Sequence, residues 1–426
     1  MSGAEQGAWA RLRRAFSLGT SQALIRLACS FISIKMTAVY LGPPGLALVA
    51  QFNNLVTLGQ GLMGAGINTA AVRLSAEYHQ QPARRSALLA TCLRLALLMG
   101  AVGALILLLL ARPLAAWLFD DAGYAWAVML AGVAIAATLV NSLLLGALNG
   151  VREIHLVVLS NILASVLGLL AFAPACVLWG IRGGIGGSLA TYLLTLGMSA
   201  WLSRRSTQLR WRDYAGRIDR IELRRILGYY PMLVAHATLT PLATILVRDA
   251  MMSMLSLQAA GLWQGAWRLS EVYTTIITTS VSLYFMPRLG ELAQQPAALG
   301  REVRRTFLAV TGITAALALG IFLFRELVVY IVFSPAFHDV VKLMPVMLLG
   351  DVLKMAAWTL GFVLVATQRT AWYMAIEVLA PAALVLGVHL FTPLLGAVGA
   401  MWAYVLSGTL QLLLATVALR RLLLPR

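Results

Sequence analysis

The chain has few charged residues and few cysteines for its length. Of its 426 residues only 12% are charged and 60% are hydrophobic, and the mean hydropathy is +0.84. A soluble domain needs about 25–35% charged residues on its surface, so this composition excludes a soluble protein. The net charge of +17 does not indicate a nucleic-acid partner, because the basic residues lie mostly in short loops, where membrane topology explains them.

The sequence also lacks the patterns of an enzyme or a cofactor protein. Its three cysteines, Cys29, Cys92 and Cys176, are isolated in apolar stretches, without CxxC or metal-site spacing. No nucleotide-binding loop or nucleophile triad is present. The first apolar stretch, which runs to Tyr40, is too long for the core of a cleavable signal. We therefore expect no catalytic residue, no metal and no cofactor.

Twelve apolar stretches of about 20 residues or more are long enough to cross a ~30 Å hydrocarbon core. They predict an all-α membrane protein with spans near 16–40, 46–74, 86–111, 123–148, 153–179, 184–203, 226–252, 258–286, 303–324, 343–366, 371–391 and 396–419. With the N-terminus inside, twenty-two arginines fall in cytoplasmic segments and four basic residues, Arg112, Arg182, Arg325 and Lys342, fall outside. This asymmetry predicts that both termini are cytoplasmic.

The spans divide into two halves of six. We predict an N-terminal bundle at 1–203, a basic cytoplasmic linker at 204–225 and a C-terminal bundle at 226–426. Gly45-Leu46 recurs as Gly261-Leu262, 216 positions later, and a glycine-rich stretch at 183–187 recurs at 396–400. These offsets indicate a duplicated six-helix unit. Transporters built from such parallel repeats bind substrate between the halves.

Several basic side chains fall inside predicted spans: Arg26, Lys35, Arg94, Arg248, Arg268 and Lys354. A charge at the bilayer centre costs roughly 2.5–3.5 kcal/mol on insertion scales. Such residues must therefore face a partner or a water-filled path. The pattern indicates a transporter with a cationic lumen and an anionic substrate.

The eighth span carries the clearest polar stripe. Six residues recur at steps of four and three and share one helical face: Gln264, Arg268, Glu271, Thr275, Thr278 and Ser282. Two interpretations stay open. The stripe lines the lumen, or it is a polar seam in which Arg268 and Glu271 pair at i, i+3.

Weaker stripes occur in the first half. The second span has Asn53, Thr57, Gln60 and Asn68 on one face. In the first span Arg26 lies near the middle of a polar face, whereas Lys35, nine residues on, points about 180° away. Geometry alone therefore favours Arg26 over Lys35 as a lumen residue.

Three carboxylates are candidates for coupling transport to an ion gradient: Glu377, Asp351 and Glu271. Asp351 shares a face with Lys354, and a structural ion pair is the alternative to a functional role. Around Glu377 the positions i±3 and i±4 hold Tyr373, Met374, Ala380 and Pro381, which predicts a carboxylate without a partner there. The alternative is that Glu377 only reaches the cytoplasmic interface.

Five stretches carry a family resemblance: Tyr40 to Leu46, Gly64 to Ile67, the Tyr78-His79 stretch with Pro82 and Arg84-Arg85, Gly261 to Gly265, and Gly350 to Lys354. On these stretches the chain resembles the Wzx-type polysaccharide flippases of the multidrug/oligosaccharidyl-lipid/polysaccharide exporter superfamily, in particular those for lipid III of enterobacterial common antigen. The similarity covers almost the whole chain and is weakest at 203–225.

The resemblance implies two six-helix bundles facing a central cavity, and export of undecaprenyl-pyrophosphate-linked oligosaccharides from the cytoplasmic to the periplasmic leaflet of the bacterial inner membrane. It implies roles for basic residues that match Arg26, Lys35, Arg73, Arg248 and Lys354, and for acidic residues that match Glu271, Asp351 and Glu377. Arg268 and Asp249 depart from the pattern. The match at Lys35 opposes the geometric argument against it.

These observations together predict substrate-binding residues Arg26, Lys35, Arg248, Arg268, Lys354, Asn53 and Gln264. The expected partners are the lipid-linked oligosaccharide, the bilayer, and polysaccharide polymerase and chain-length proteins. Two other functions stay open. A cation or drug antiporter of the same fold would show an acidic excess in its cavity, and a membrane glycan polymerase or ligase would need a large outer loop.

Overall fold

The structure, a computed structural model, describes residues 3–292 and 295–423, with residues 3–21, 229, 231, 232, 235, 236, 280, 283, 284, 286, 287, 296 and 421–423 described by their backbone alone. In this part of the chain the regular structure is entirely helical, as predicted. The α-helices are α1 (Gly3–Tyr40), α2 (Gly42–Glu77), α3 (Pro82–Leu109), α4 (Ala111–Phe119), α5 (Ala125–Gly150), α6 (Ile154–Ser203), α7 (Arg220–Met254), α8 (Leu257–Leu292), α9 (Pro296–Leu323), α10 (Arg325–Val332), α11 (Val340–Ala366), α12 (Thr370–Leu395) and α13 (Ala397–Leu423).

The helices have the length and the surface of membrane spans. Among the described residues, nine helices are long and apolar enough to cross a bilayer. Large apolar side chains stand exposed along them, such as Leu109 at 72%, Leu323 at 66% and Leu394 at 76%, which in a soluble protein would cause aggregation. The protein is therefore a multi-pass membrane protein. The count of twelve spans stays a prediction.

Prolines start several helices and glycines break others. Pro82 and Pro296 occupy the first positions of α3 and α9, where a proline's fixed φ suits the helix and no backbone donor is lost. Within α6, Gly180 has φ 57° and ψ −134°, so the helical geometry breaks there. This break separates the predicted spans 153–179 and 184–203.

The left-handed backbone positions support the internal repeat. Gly180 at φ 57° has a counterpart in Gly396 at φ 61°, and Arg152 at φ 63° has one in Gln368 at φ 57°. Both pairs are 216 residues apart (396 − 180 and 368 − 152), the same offset as the Gly45 and Gly261 pair. A positive φ is uncommon outside glycine, so two such coincidences indicate that the two halves fold by the same local plan.

The chain forms two compact units. The first contains Met1–Leu41 and Leu48–Pro241, and the second contains Gly42–Ala47 and Leu242–Arg426. In the second unit Gly261 lies so close to the Pro43 carbonyl that an added Cβ would stand 1.9 Å from its oxygen, so only glycine fits. The division falls within α7, after Pro241. The division into bundles at 1–203 and 226–426 stays a prediction.

Candidate functional site

A buried carboxylate forms the centre of the polar cluster in the second unit. Asp351 in α11 is 0% exposed. Its Oδ1 accepts hydrogen bonds from the Ser270 hydroxyl and, at 2.8 Å, from the Tyr404 hydroxyl, and its Oδ2 accepts one from Tyr273 at 2.5 Å. Burying an ionised group is costly unless hydrogen bonds replace its water. Three hydroxyls from α8 and α13 supply that replacement.

Lys354, one turn after Asp351, lies on aromatic rings. Its Nζ is 5.1 Å from the ring centroid of Trp267 and 5.2 Å from that of Tyr404, and the two rings meet edge to face at 5.2 Å. This is cation–π geometry. Among the described ion pairs none joins Lys354 to Asp351, although the two charges attract each other at longer range.

Arg248 is a fully buried cation of this unit. It lies in α7 and is 1% exposed. A guanidinium nitrogen donates to Gln264 Oε1, and the guanidinium carbon is 5.8 Å from the Trp263 ring centroid. Trp263 contacts Trp267 with ring centroids 5.2 Å apart. The two tryptophans therefore connect Arg248 to the rings that hold Lys354.

The polar stripe of α8 is most exposed at its middle, where Glu271 and Thr275 lie. Gln264 is buried, and the other members of the stripe are half-buried: Arg268, Thr278 and Ser282. Arg268 and Glu271 form the predicted i, i+3 ion pair at 2.8 Å, and Trp267 Nε1 donates to the same carboxylate at 2.9 Å. The pair is confirmed. That the stripe lines a lumen stays a prediction.

Glu377 has a hydrogen-bonding neighbour that was not predicted. The Tyr373 hydroxyl, one turn earlier in α12, is hydrogen-bonded to the Glu377 carboxylate. The prediction of no partner at i±4 was wrong, because a tyrosine hydroxyl is itself a hydrogen-bond donor. Glu377 and Glu271 both interact electrostatically with Lys354, so all three carboxylates belong to one cluster.

The predicted residues of the first unit are more dispersed. Arg26 is exposed and Lys35 is half-buried. Asn53 accepts a hydrogen bond from the Tyr192 hydroxyl of α6 at 3.0 Å, and its amide donates to the Val49 carbonyl at 2.9 Å. The Gln60 side chain likewise contacts α5, through Ser142 at 3.0 Å. The polar face of α2 therefore joins helices within its own unit.

Four side chains that complete the cluster were missed: Ser270, Tyr273, Tyr404 and Trp267. Ser270 and Tyr273 stand three residues apart in α8, beside the predicted stripe, and that spacing was a usable signal. Tyr404 lies in an apolar stretch, so its position in the sequence gave no signal. Within the described residues no group of three His, Cys, Asp or Glu side chains is placed to hold a metal ion.

Residues 38–342 match the family model described as "Polysaccharide biosynthesis protein". The matched stretch is more than half of the chain. This protein belongs to the polysaccharide biosynthesis protein family. This polysaccharide biosynthesis protein is 29% identical over 389 residues to the lipid III flippase of Escherichia coli (strain K12), covering 89% of this chain and 91% of the relative. The Shigella flexneri lipid III flippase matches equally.

Solved structures with a similar fold are membrane transporters. The inward-facing form of a multidrug resistance MATE family transporter of the MOP superfamily has a TM-score of 0.80 at 16% identity, covering 94% of this chain and 98% of that one. Lipid II flippase MurJ in an inward closed conformation has a TM-score of 0.73 at 11% identity, covering 95% and 87%. This polysaccharide biosynthesis protein therefore has the fold of the MOP superfamily transporters, as predicted.

Proposed function

We propose that this protein is a flippase that moves an undecaprenyl-pyrophosphate-linked oligosaccharide from the cytoplasmic to the periplasmic leaflet of the inner membrane. The observation that carries the proposal is the match to lipid III flippases over 89% of the chain, together with membrane-embedded cations suited to an anionic head group. It acts as a transporter and not as an enzyme. Its termini lie in the cytoplasm, because that orientation places twenty-two arginines inside.

The chemistry of the substrate explains the residues. A pyrophosphate and many hydroxyls cannot cross hydrocarbon. The prenyl chain can stay in lipid while the head group passes through a polar cavity. Arginine and lysine bind phosphate oxygens through charge-assisted hydrogen bonds. We assign this role to Arg26, Lys35, Arg248, Arg268 and Lys354. Asn53 and Gln264 are assigned to sugar hydroxyls.

Of the second-unit cations assigned to the substrate, Arg268 and Lys354 are half-buried and therefore partly accessible. Each already has an interaction: Arg268 with Glu271, and Lys354 with two rings. A cation held by an exposed carboxylate or by ring faces exchanges its partner for a pyrophosphate at lower cost than one in a buried ion pair. Arg248, buried against Gln264, requires a change of packing before it can contact substrate.

Energy comes from an ion gradient, with Asp351, Glu377 and Glu271 as the coupling carboxylates. Protonation of Asp351 would convert an acceptor of three hydroxyl hydrogen bonds into a group that is itself a donor. The hydroxyls bound to the protonated oxygen, Tyr273 on Oδ2 or Ser270 and Tyr404 on Oδ1, would then have to reorient. The packing of α8, α11 and α13 would change with them. Such a step links a proton to alternating access.

Complementation tests the substrate class. The gene is expressed in a strain that lacks its lipid III flippase, and surface glycan is measured by immunoblot. We expect glycan to return, with polymerase and chain-length proteins as the downstream partners. In a second arm the gene is expressed in a strain that lacks its cation or drug antiporter, and drug resistance is measured. Rescue of drug resistance without rescue of glycan would assign the protein to cation export and overturn the proposal.

A further inference from the structure

The segment between α6 and α7 is an ordered part of the first unit. Its Gln208 carbonyl accepts a hydrogen bond from the Arg85 guanidinium at 2.8 Å. The Asp219 amide donates to the Thr91 hydroxyl at 2.9 Å. Thr207 donates to Glu153 through its hydroxyl at 2.7 Å and its amide at 2.9 Å. Contacts to α3 and to the loop before α6 therefore fix its backbone.

All three acidic residues between 201 and 225 accept hydrogen bonds from residues of the first unit. Asp213 accepts from the Arg210 amide and from the Ser86 hydroxyl, both at 2.8 Å. Asp219 accepts from the Ile221 amide at 2.7 Å, at the start of α7. Glu222 is buried, and Tyr78 donates to it at 3.0 Å. Among the described ion pairs none joins these carboxylates to Arg204, Arg205, Arg210 or Arg212.

The outer face of this segment is basic and aromatic. We call the exposed residues Trp201, Arg204, Arg205, Arg210, Trp211 and Arg212 the basic platform. The Arg205 guanidinium carbon is 4.1 Å from the Trp201 ring centroid, and that of Arg204 is 5.8 Å from the Trp211 centroid. The two tryptophans are 42% and 44% exposed. None of these four arginines is in a described ion pair.

We propose that the basic platform is a binding surface for the head groups of anionic phospholipids of the adjacent leaflet. Tryptophan is favoured at the membrane–water interface because its ring is amphipathic, and clustered arginines attract anionic lipid. A fixed backbone presents both groups together, so little ordering entropy opposes binding. The proposal rests on the proposed topology, which places the platform at the cytoplasmic side, and not on the transported substrate.

Lipid binding to the purified full-length protein tests the proposal. Phosphatidylglycerol or phosphatidylcholine is titrated into neutral detergent, and bound lipid is counted by native mass spectrometry. An arginine near an anionic surface strengthens binding roughly fivefold. We expect phosphatidylglycerol to bind at least tenfold more tightly than phosphatidylcholine. The triple variant Arg204→Gln, Arg205→Gln, Arg212→Gln should lose at least tenfold of that affinity.

The matched control removes the same charge elsewhere. Arg301, Arg304 and Arg305 are exposed arginines of α9, and their triple glutamine variant should lose less than threefold. Equal losses in both variants would mean that net charge alone attracts lipid, and would overturn the proposal. Unchanged phosphatidylglycerol affinity in the platform variant, with surface glycan reduced in cells, would assign the surface to a protein partner and also overturn it.

The lipid measurement is independent of transport. If complementation fails while the two triple variants still differ in phosphatidylglycerol binding, the platform proposal stands and the proposed function falls. If complementation succeeds while the two triple variants bind phosphatidylglycerol equally, the proposed function stands and the platform proposal falls.

Discussion

Removing the Tyr404 hydroxyl tests whether the Asp351 carboxylate is held by its neighbours as described. Tyr404→Phe deletes a donor 2.8 Å from a carboxylate oxygen, and both side chains are buried. A hydrogen bond to a charged group contributes about 1.5–3 kcal/mol, whereas bonds between membrane helices average about 0.6 and reach about 1.7. Because the acceptor is a carboxylate, we expect the free energy of unfolding to fall by about 1.5 kcal/mol.

The assay is equilibrium unfolding in mixed micelles, followed by tryptophan fluorescence. Tyr192→Phe is the matched control, because it deletes the same hydroxyl from a bond to the neutral Asn53 amide at 3.0 Å. We expect it to cost about 0.5 kcal/mol. A double-mutant cycle with Asp351→Asn should give a coupling of about 1 kcal/mol for Tyr404 and none for Tyr192. Additive effects for Tyr404 would refute the hydroxyl arrangement around Asp351.

Three further predictions concern export and pH. Arg26→Ala and Arg248→Ala should each reduce glycan export at least tenfold while the protein still inserts; normal export by both would make these residues structural. Glu377→Gln should lose the dependence of vesicle transport on an imposed pH gradient, and full dependence would remove Glu377 from coupling. Burial alone would raise the pKa of Glu153, but hydrogen bonds from Ser206 and Thr207 hold the pKa below its usual value. That stabilisation is present above about pH 4.3 and is lost as pH falls through the folded-state pKa. Glu153→Gln should therefore lower the melting temperature at pH 7. The difference in melting temperature between the variant and the parent protein should shrink in acid. A constant difference would contradict the assignment.

Interactions within one helix could be predicted from the sequence. Hydropathy placed the helical segments, because a membrane span must be apolar and satisfy its backbone internally. The Arg268–Glu271 pair followed from its i, i+3 spacing. The break between the fifth and sixth spans was located to within a few residues of Gly180, because a glycine-rich stretch follows the apolar run.

Contacts between distant helices could not be predicted in this way. The hydroxyl donors of Asp351 come from residues 81, 78 and 53 positions away, and no periodicity encodes such a pairing. The rings around Lys354 come from α8 and α13 for the same reason. The order of the 204–219 segment also depends on distant donors, such as Arg85 and Thr91.

The central claim is tested most directly by translocation in proteoliposomes. Purified protein is reconstituted with a fluorescent undecaprenyl-pyrophosphate oligosaccharide, and the fraction accessible to an added membrane-impermeant quencher is followed with time. A lipid carrying the same sugar without the pyrophosphate is the control. The account predicts rapid movement of the pyrophosphate lipid and slow movement of the control. Equal rates for both lipids, or no movement above protein-free vesicles, would contradict it.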